Sequence, residues 1–164
     1  MKERVLRNRR MLTEQEKLEI DTELAHCEFK QSASIDALKI IQKHRGWVSD
    51  EAIRDVAAML DISAGELDAV ATFYSFVFRQ PVGRHVILVC DSISCWVMGY
   101  NPLLDLLKTK LGIVFGETTG DNRFTLLPIS CLGACDRAPA MMVDEELYGP
   151  VTPEMMEVIL IKYG

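Results

Sequence analysis

The stretch RQPVGRHVILVCDSISC, residues 79–95, is where the character of the chain changes. Pro81 and Gly83 punctuate it, and HVILVC behind them is a continuous apolar run rich in β-branched residues. Such a run fits a strand buried on both faces. It closes on Cys90, and Cys95 follows after four more residues. Before the stretch the pattern is helical, and after it strands and helices alternate. The expected organisation is therefore a helical N-terminal domain, residues 1–79, and a mixed α/β domain, residues 80–164.

The first domain reads as four helices joined by tight turns, with no strand pattern. TEQEKLEIDTELAHC opens with a capping box, Thr13 and Glu16, and places Ile20, Leu24 and Cys27 on one face. SIDALKIIQKHRG has Ser34 as the expected N-cap, His44 and Arg45 in the last turn and Gly46 just beyond. SDEAIRDVAAML starts at Ser49 and spaces Ile53, Val56, Ala57 and Leu60 as a helix face does. SAGELDAVATFY repeats the capping box with Ser63 and Glu66. The aromatic run TFYSFVF then brings Phe73, Tyr74, Phe76 and Phe78 together. Two readings stand: a hydrophobic junction between the halves, or an exposed patch that docks on another subunit.

The second domain reads β-α-β-β-α. NPLLDLLKTKLG carries a helix pattern, and GETTGDNRFTLLP is a polar turn leading into a strand. AMMVDEELYGPV reads as two short strands around an acidic, solvated turn at Asp144, Glu145 and Glu146. TPEMMEVILIKYG is a helix with Thr152 as N-cap and Pro153 in the first helical position.

Four of the five cysteines form two close pairs: Cys90 with Cys95, and Cys131 with Cys135. Cys90 ends the buried strand, Cys95 is expected in the loop before the next helix, and Cys131 is expected to end the second strand. The two strands of a β-α-β unit lie parallel, so both pairs arrive at the same edge of the sheet. Open α/β sheets normally carry their sites there. One four-thiolate site follows. The spacing leaves zinc, a [2Fe–2S] cluster and redox disulfides in competition. Gly133 and Ala134 let backbone N–H groups approach sulfur, and Ser92 and Ser94 offer hydroxyls in the first loop, or are ordinary polar loop residues. Trp96, Val97, Met98, Leu132, Ala138 and Pro139 are expected either to keep water off the site or to be plain core. Cys27 reads as a buried small hydrophobe. His26, His44 and His85 are scattered, so a mixed His/Cys cluster has no support.

Composition narrows the function. The chain has 164 residues, 49% of them apolar, and a net charge of −6, an ordinary globular balance without the basic stripe that nucleic acid demands. No apolar run approaches the roughly 18 residues of a membrane-spanning helix, so direct membrane insertion is not expected. MKERVLRNRR is basic but has no apolar segment behind it, so it reads as a short basic tail rather than an export signal. A reducing compartment is then expected, where cysteines are more often metal ligands than disulfides. Neither G-x-G-x-x-G after a strand nor G-x-x-x-x-G-K-[ST] occurs, so the chain has no nucleotide or flavin motif of its own. The C-x-x-C of thiol oxidoreductases is also missing.

GWVSDEAIRDVAAMLDI, VATFYSFVFRQPVGRHVILVCDSISC and CLGACDRAPAMMVDEELYG resemble the small [2Fe–2S] subunit of NADH:quinone oxidoreductase, respiratory complex I, the NuoE family. The resemblance runs from about Ser34 to the end. It implies an N-terminal helical bundle followed by a thioredoxin-like [2Fe–2S] ferredoxin domain, an α+β and α/β architecture. It also implies Cys90, Cys95, Cys131 and Cys135 as ligands of one cluster, the first two holding one iron and the last two the other. The implied partners are a flavoprotein subunit of the NuoF type, carrying FMN, the NADH site and a [4Fe–4S] cluster, and the other peripheral-arm subunits. The chain would be the electron carrier of an enzyme complex on the cytoplasmic side of the inner membrane, without an NADH or flavin site itself. Related subunits serve NAD-linked hydrogenases and formate dehydrogenases, and from another class a zinc-stabilised interaction module remains an alternative.

Overall fold

The structure is a computed structural model that describes residues 11–164. The basic tail lies outside the described residues. The chain divides into two compact units, Met1–Pro81 and Val82–Gly164.

The first unit contains α1 (Glu14–Leu24), a 3₁₀ turn (Lys30–Ala33), α2 (Ser34–Arg45), α3 (Asp50–Leu60) and α4 (Ala64–Phe73). Local chemistry sets the ends. Thr13 and Ser63 each close a capping box with Glu16 and Glu66, and Ser49 accepts from the Ala52 N–H. α2 stops at Gly46, whose φ of 87° is left-handed. Its start differs from expectation. Ser34 lies inside the helix, Ala33 occupies the N-cap, and the Ser34 hydroxyl donates to the Gln31 carbonyl at 2.6 Å. The preceding 3₁₀ turn already supplies a helical entry, so no side-chain cap is needed.

Apolar faces of the four helices meet in one core that includes Ile20, Leu38, Ile41, Val56, Leu60 and Leu67, with Cys27 half-buried against it. α1 ends at Leu24, so Cys27 reaches this core from the following turn rather than from the helix. Leu18 is exposed. Inside the unit, Glu16 and Arg45 form a buried ion pair between α1 and α2, with two contacts of 2.7 Å. After α4 the chain is pinned by Gln42, which donates to the Phe76 carbonyl at 2.8 Å and accepts from the Phe78 N–H at 2.6 Å. Arg79 reaches Asp50, Asp68 and the Val48 carbonyl. On this pinned segment Val77 is buried, while Phe73, Tyr74 and Phe76 are exposed. Phe78 is half-buried, so three of the four aromatics are exposed.

The second unit is built on a four-stranded sheet ordered β2-β1-β3-β4. Its elements in chain order are β1 (His85–Cys90), α5 (Ile93–Val97), α6 (Tyr100–Leu111), β2 (Phe124–Ile129), a 3₁₀ turn (Cys135–Arg137), β3 (Met141–Val143), β4 (Glu146–Tyr148) and α7 (Pro153–Lys162). β1 and β2 are parallel, from His85 opposite Phe124 to Cys90 opposite Ile129. β3 runs antiparallel to β1 and β4 antiparallel to β3. β1 is buried along all but its first residue, as its apolar run requires. β2 is an edge strand, which accommodates Pro128. Ile87, Val89, Phe124, Leu126 and Met141 pack against Leu103 and Leu107 of α6 and Met156 and Ile159 of α7.

The acidic turn is smaller and better held than a solvated loop. Glu146 belongs to β4, and only Asp144 and Glu145 turn the chain, Asp144 with φ 53°. The Asp144 carboxylate accepts from the Val86 N–H at 2.9 Å and contacts His85 Nδ1 at 2.7 Å. Glu146 meets Lys162, Tyr148 and Tyr163, and these partners hold its carboxyl down at about 2.

Candidate metal centre

The site grows from the C-terminal ends of β1 and β2. Cys90 is the last residue of β1 and is level with Ile129, the last residue of β2. Cys131 comes two residues beyond the strand rather than at its end, so the chain has already left the sheet when it reaches the thiol. Cys95 is inside the short helix α5, not in a loop. Cys135 opens the second 3₁₀ turn. Cys90 and Cys95 are 2% and 1% exposed, whereas Cys131 and Cys135 are both exposed. The site therefore has a dry half and an open half.

Small residues make the dry half. Cys90 and Cys95 share a miniature core with Ala134, Ala138 and Ala140, and Leu132 and Leu147 lean on it. The Cys90 N–H donates to the Ala140 carbonyl at 3.1 Å, which ties the β1 end to the approach of β3. Gly149 lies so close to the Arg137 carbonyl that any Cβ would collide with it, and this contact backs the turn that carries Cys135. Ala140 and Gly149 carried no signal in the motif spacing, because their roles depend on an approach between segments distant in sequence.

The thiols interact as pairs and across pairs. Cys131 Sγ and Cys135 Sγ are 3.5 Å apart. The Gly133 N–H donates to Cys131 Sγ at 3.3 Å, from a backbone with φ 77° that favours glycine. That N–H, with Cys135 and Ser92, lowers the Cys131 thiol below its ordinary range. Burial pushes the Cys90 thiol up, but bonds from the Ser92 hydroxyl and from the backbone of Ser92 and Leu132 outweigh it and leave Cys90 lowered. Cys95 is raised by burial first, then by Cys90 and by the charge of Cys135. All four sulfurs thus feel one another. Of the two serines in the first loop, it is Ser92 whose hydroxyl meets sulfur.

The donor set suits a soft, multiply charged group. Among the described residues, no three His, Cys, Asp or Glu side chains gather as they would around one metal ion. A backbone N–H aimed at sulfur, as Gly133 provides to Cys131, is the kind of donor that iron–sulfur clusters use.

The apolar flank is the main surprise. Ile93, Trp96, Val97 and Met98 are 72%, 56%, 68% and 61% exposed. They neither cover the site nor join the core. Ala138 and Pro139 are buried as expected, and Leu132 is half-buried. α5 is a single short helix with Cys95 turned inward, Ser94 half-buried, and Ile93, Trp96 and Val97 turned outward.

Residues 20–164 match the family described as thioredoxin-like [2Fe–2S] ferredoxin. The E subunit of the NADH-quinone oxidoreductase of Pseudomonas aeruginosa is 49% identical over 156 residues, 95% of this chain and 94% of that protein. Its counterpart of the same name from Escherichia coli K12 is 51% identical over 152 residues, 93% of this chain and 92% of that one. The chain belongs to the thioredoxin-like [2Fe–2S] ferredoxins, among the E subunits of NADH-quinone oxidoreductases. Its architecture also resembles part of a solved NAD⁺-reducing [NiFe]-hydrogenase, with a TM-score of 0.68 at 24% identity over 80% of this chain and 22% of that one. At that identity the likeness concerns the fold. Membership decides for iron and sulfide over zinc, which the spacing of the cysteines had left open. No helix among the described residues is long and apolar enough to cross a membrane.

Proposed function

We propose that this chain is the electron-carrying E subunit of an NADH-quinone oxidoreductase and that Cys90, Cys95, Cys131 and Cys135 hold one [2Fe–2S] cluster, Cys90 and Cys95 on one iron and Cys131 and Cys135 on the other. The observation that carries the reading is the parallel register that ends Cys90 level with Ile129 and so delivers both cysteine pairs to one end of the sheet. When bound, the cluster supplies one-electron chemistry to a reaction in which NADH gives up two electrons together. Ala134, Ala138 and Ala140 keep solvent from the Cys90–Cys95 half, and the Gly133 N–H stabilises negative charge on Cys131 by donating to it. Cys131 and Cys135 are exposed, which leaves that half of the site open to a partner seated there. That partner is a flavoprotein subunit holding FMN, the NADH site and a [4Fe–4S] cluster, together with other peripheral-arm subunits on the cytoplasmic side of the inner membrane.

Iron and acid-labile sulfide analysis of the purified protein, with EPR after dithionite reduction, tests the ligand reading. Equal iron and sulfide in [2Fe–2S] stoichiometry and a signal from the reduced state are expected. A colourless protein carrying zinc would overturn it. Co-purification with the flavoprotein subunit tests the partner.

A further inference from the structure

Ser92 occupies the N-cap of α5 with an extended backbone, φ −75° and ψ 165°. A serine in that place ordinarily turns its oxygen to a free N–H of the first turn. Ser49, Ser63 and Thr152 do so in this chain, accepting from Ala52, Glu66 and Met155. Ser92 makes no such bond. Its hydroxyl turns to sulfur instead and lies 3.5 Å from Cys90 Sγ, where the thiol donates to it. It also bears on Cys131, from the other pair. The helix has given up a side-chain cap, and the hydroxyl is committed to a thiol.

A thiolate bound to iron has no proton to donate, so the bond must reverse, with the hydroxyl donating to sulfur. We propose that Ser92 is a positioning residue that donates this hydrogen bond to the Cys90 sulfur and thereby raises the reduction potential of the cluster; this rests on the ligand assignment proposed above. Reduction adds one electron and increases negative charge on the ligand sulfurs, so a donor aimed at one of them favours the reduced form. The Gly133 N–H acts in the same sense on Cys131, but it is backbone and survives substitution, whereas the Ser92 hydroxyl can be removed alone.

The test uses the purified full chain with its cluster, as wild type, S92A and S92T, in EPR-monitored redox titrations alongside iron and sulfide analysis. S92A should keep full iron and sulfide while its ratio of reduced to oxidised cluster at a fixed ambient potential falls about tenfold, or about 59 mV for a one-electron couple. S92T retains the hydroxyl and should titrate like wild type. An exchangeable proton coupled to the reduced cluster should be present in wild type and S92T and missing from S92A. An unchanged potential in a fully loaded S92A overturns the proposal and leaves the ligand assignment standing. So does an equal fall in S92A and S92T. A cluster lost from S92A and regained in S92T would overturn it too, because the hydroxyl would then serve assembly. Wild type without iron would instead bring down the ligand assignment, and this proposal with it.

Discussion

Substituting Glu16 by Gln removes one charge from a pair that is almost wholly enclosed. The Glu16 and Arg45 side chains are 2% and 3% exposed, and the guanidinium grips the carboxylate through two contacts of 2.7 Å. Glu16 also accepts from the Thr13 N–H at 2.8 Å, and Gln serves that capping role equally well. Gln keeps the oxygen that meets Thr13 but puts an amide donor where the other oxygen accepted from Arg45 Nε, so the change removes the charge and one bond of the pair together. Removing one partner of a buried pair costs about 3–5 kcal/mol, and the acceptor that Gln keeps places the expected loss near the lower end. Burial alone would push the Glu16 carboxyl up, but Arg45 and the Thr13 N–H outweigh it and hold the group below its ordinary 4.5. A folded-state value below the unfolded one means that the stabilisation is fully present above 4.5 and fades as pH falls through the folded value. Urea unfolding followed by circular dichroism, near neutral pH and in acid, reads both effects. E16Q should be destabilised at neutral pH and should lose less than wild type on acidification. A loss under about 1 kcal/mol at neutral pH, or an unchanged acid slope, would refute the reasoning.

Cys90→Ala and Cys131→Ser should each lose or strongly alter the visible and EPR spectra, whereas Cys27→Ala, on the core of the helical unit, should leave both intact. Gly149→Ala must displace the Arg137 carbonyl and with it the turn bearing Cys135, so iron content should drop and the second unit should lose about 1–3 kcal/mol, measured by metal analysis and thermal unfolding. Phe124→Ala empties a fully buried position between the sheet and its helices and should cost about 3–5 kcal/mol in denaturant unfolding.

Much of this protein was legible before any coordinates. Capping boxes at Thr13 and Ser63, the stop at Gly46 and the buried strand His85–Cys90 depend on contacts within one or two turns or on the composition of one segment, so the local sequence suffices. Parallel pairing of β1 and β2 followed from the β-α-β pattern, and with it the meeting of the cysteine pairs. The 3₁₀ entry that displaced Ser34 from its expected cap, and the helical turn around Cys95, were not legible, because single turns this short carry no periodicity.

Residue types and spacing alone determined that four thiols would converge at one sheet end, and the resemblance carried by the same residues decided for iron over zinc. Only the tertiary structure decided which thiols are dry and which are open, that Ile93, Trp96, Val97 and Met98 face outward, and that Ser92 serves sulfur rather than its helix. Exposure is set by what distant segments place nearby: Ala140 behind Cys90 and Gly149 against Arg137. Such approaches are properties of the packed chain, and no window of sequence contains them.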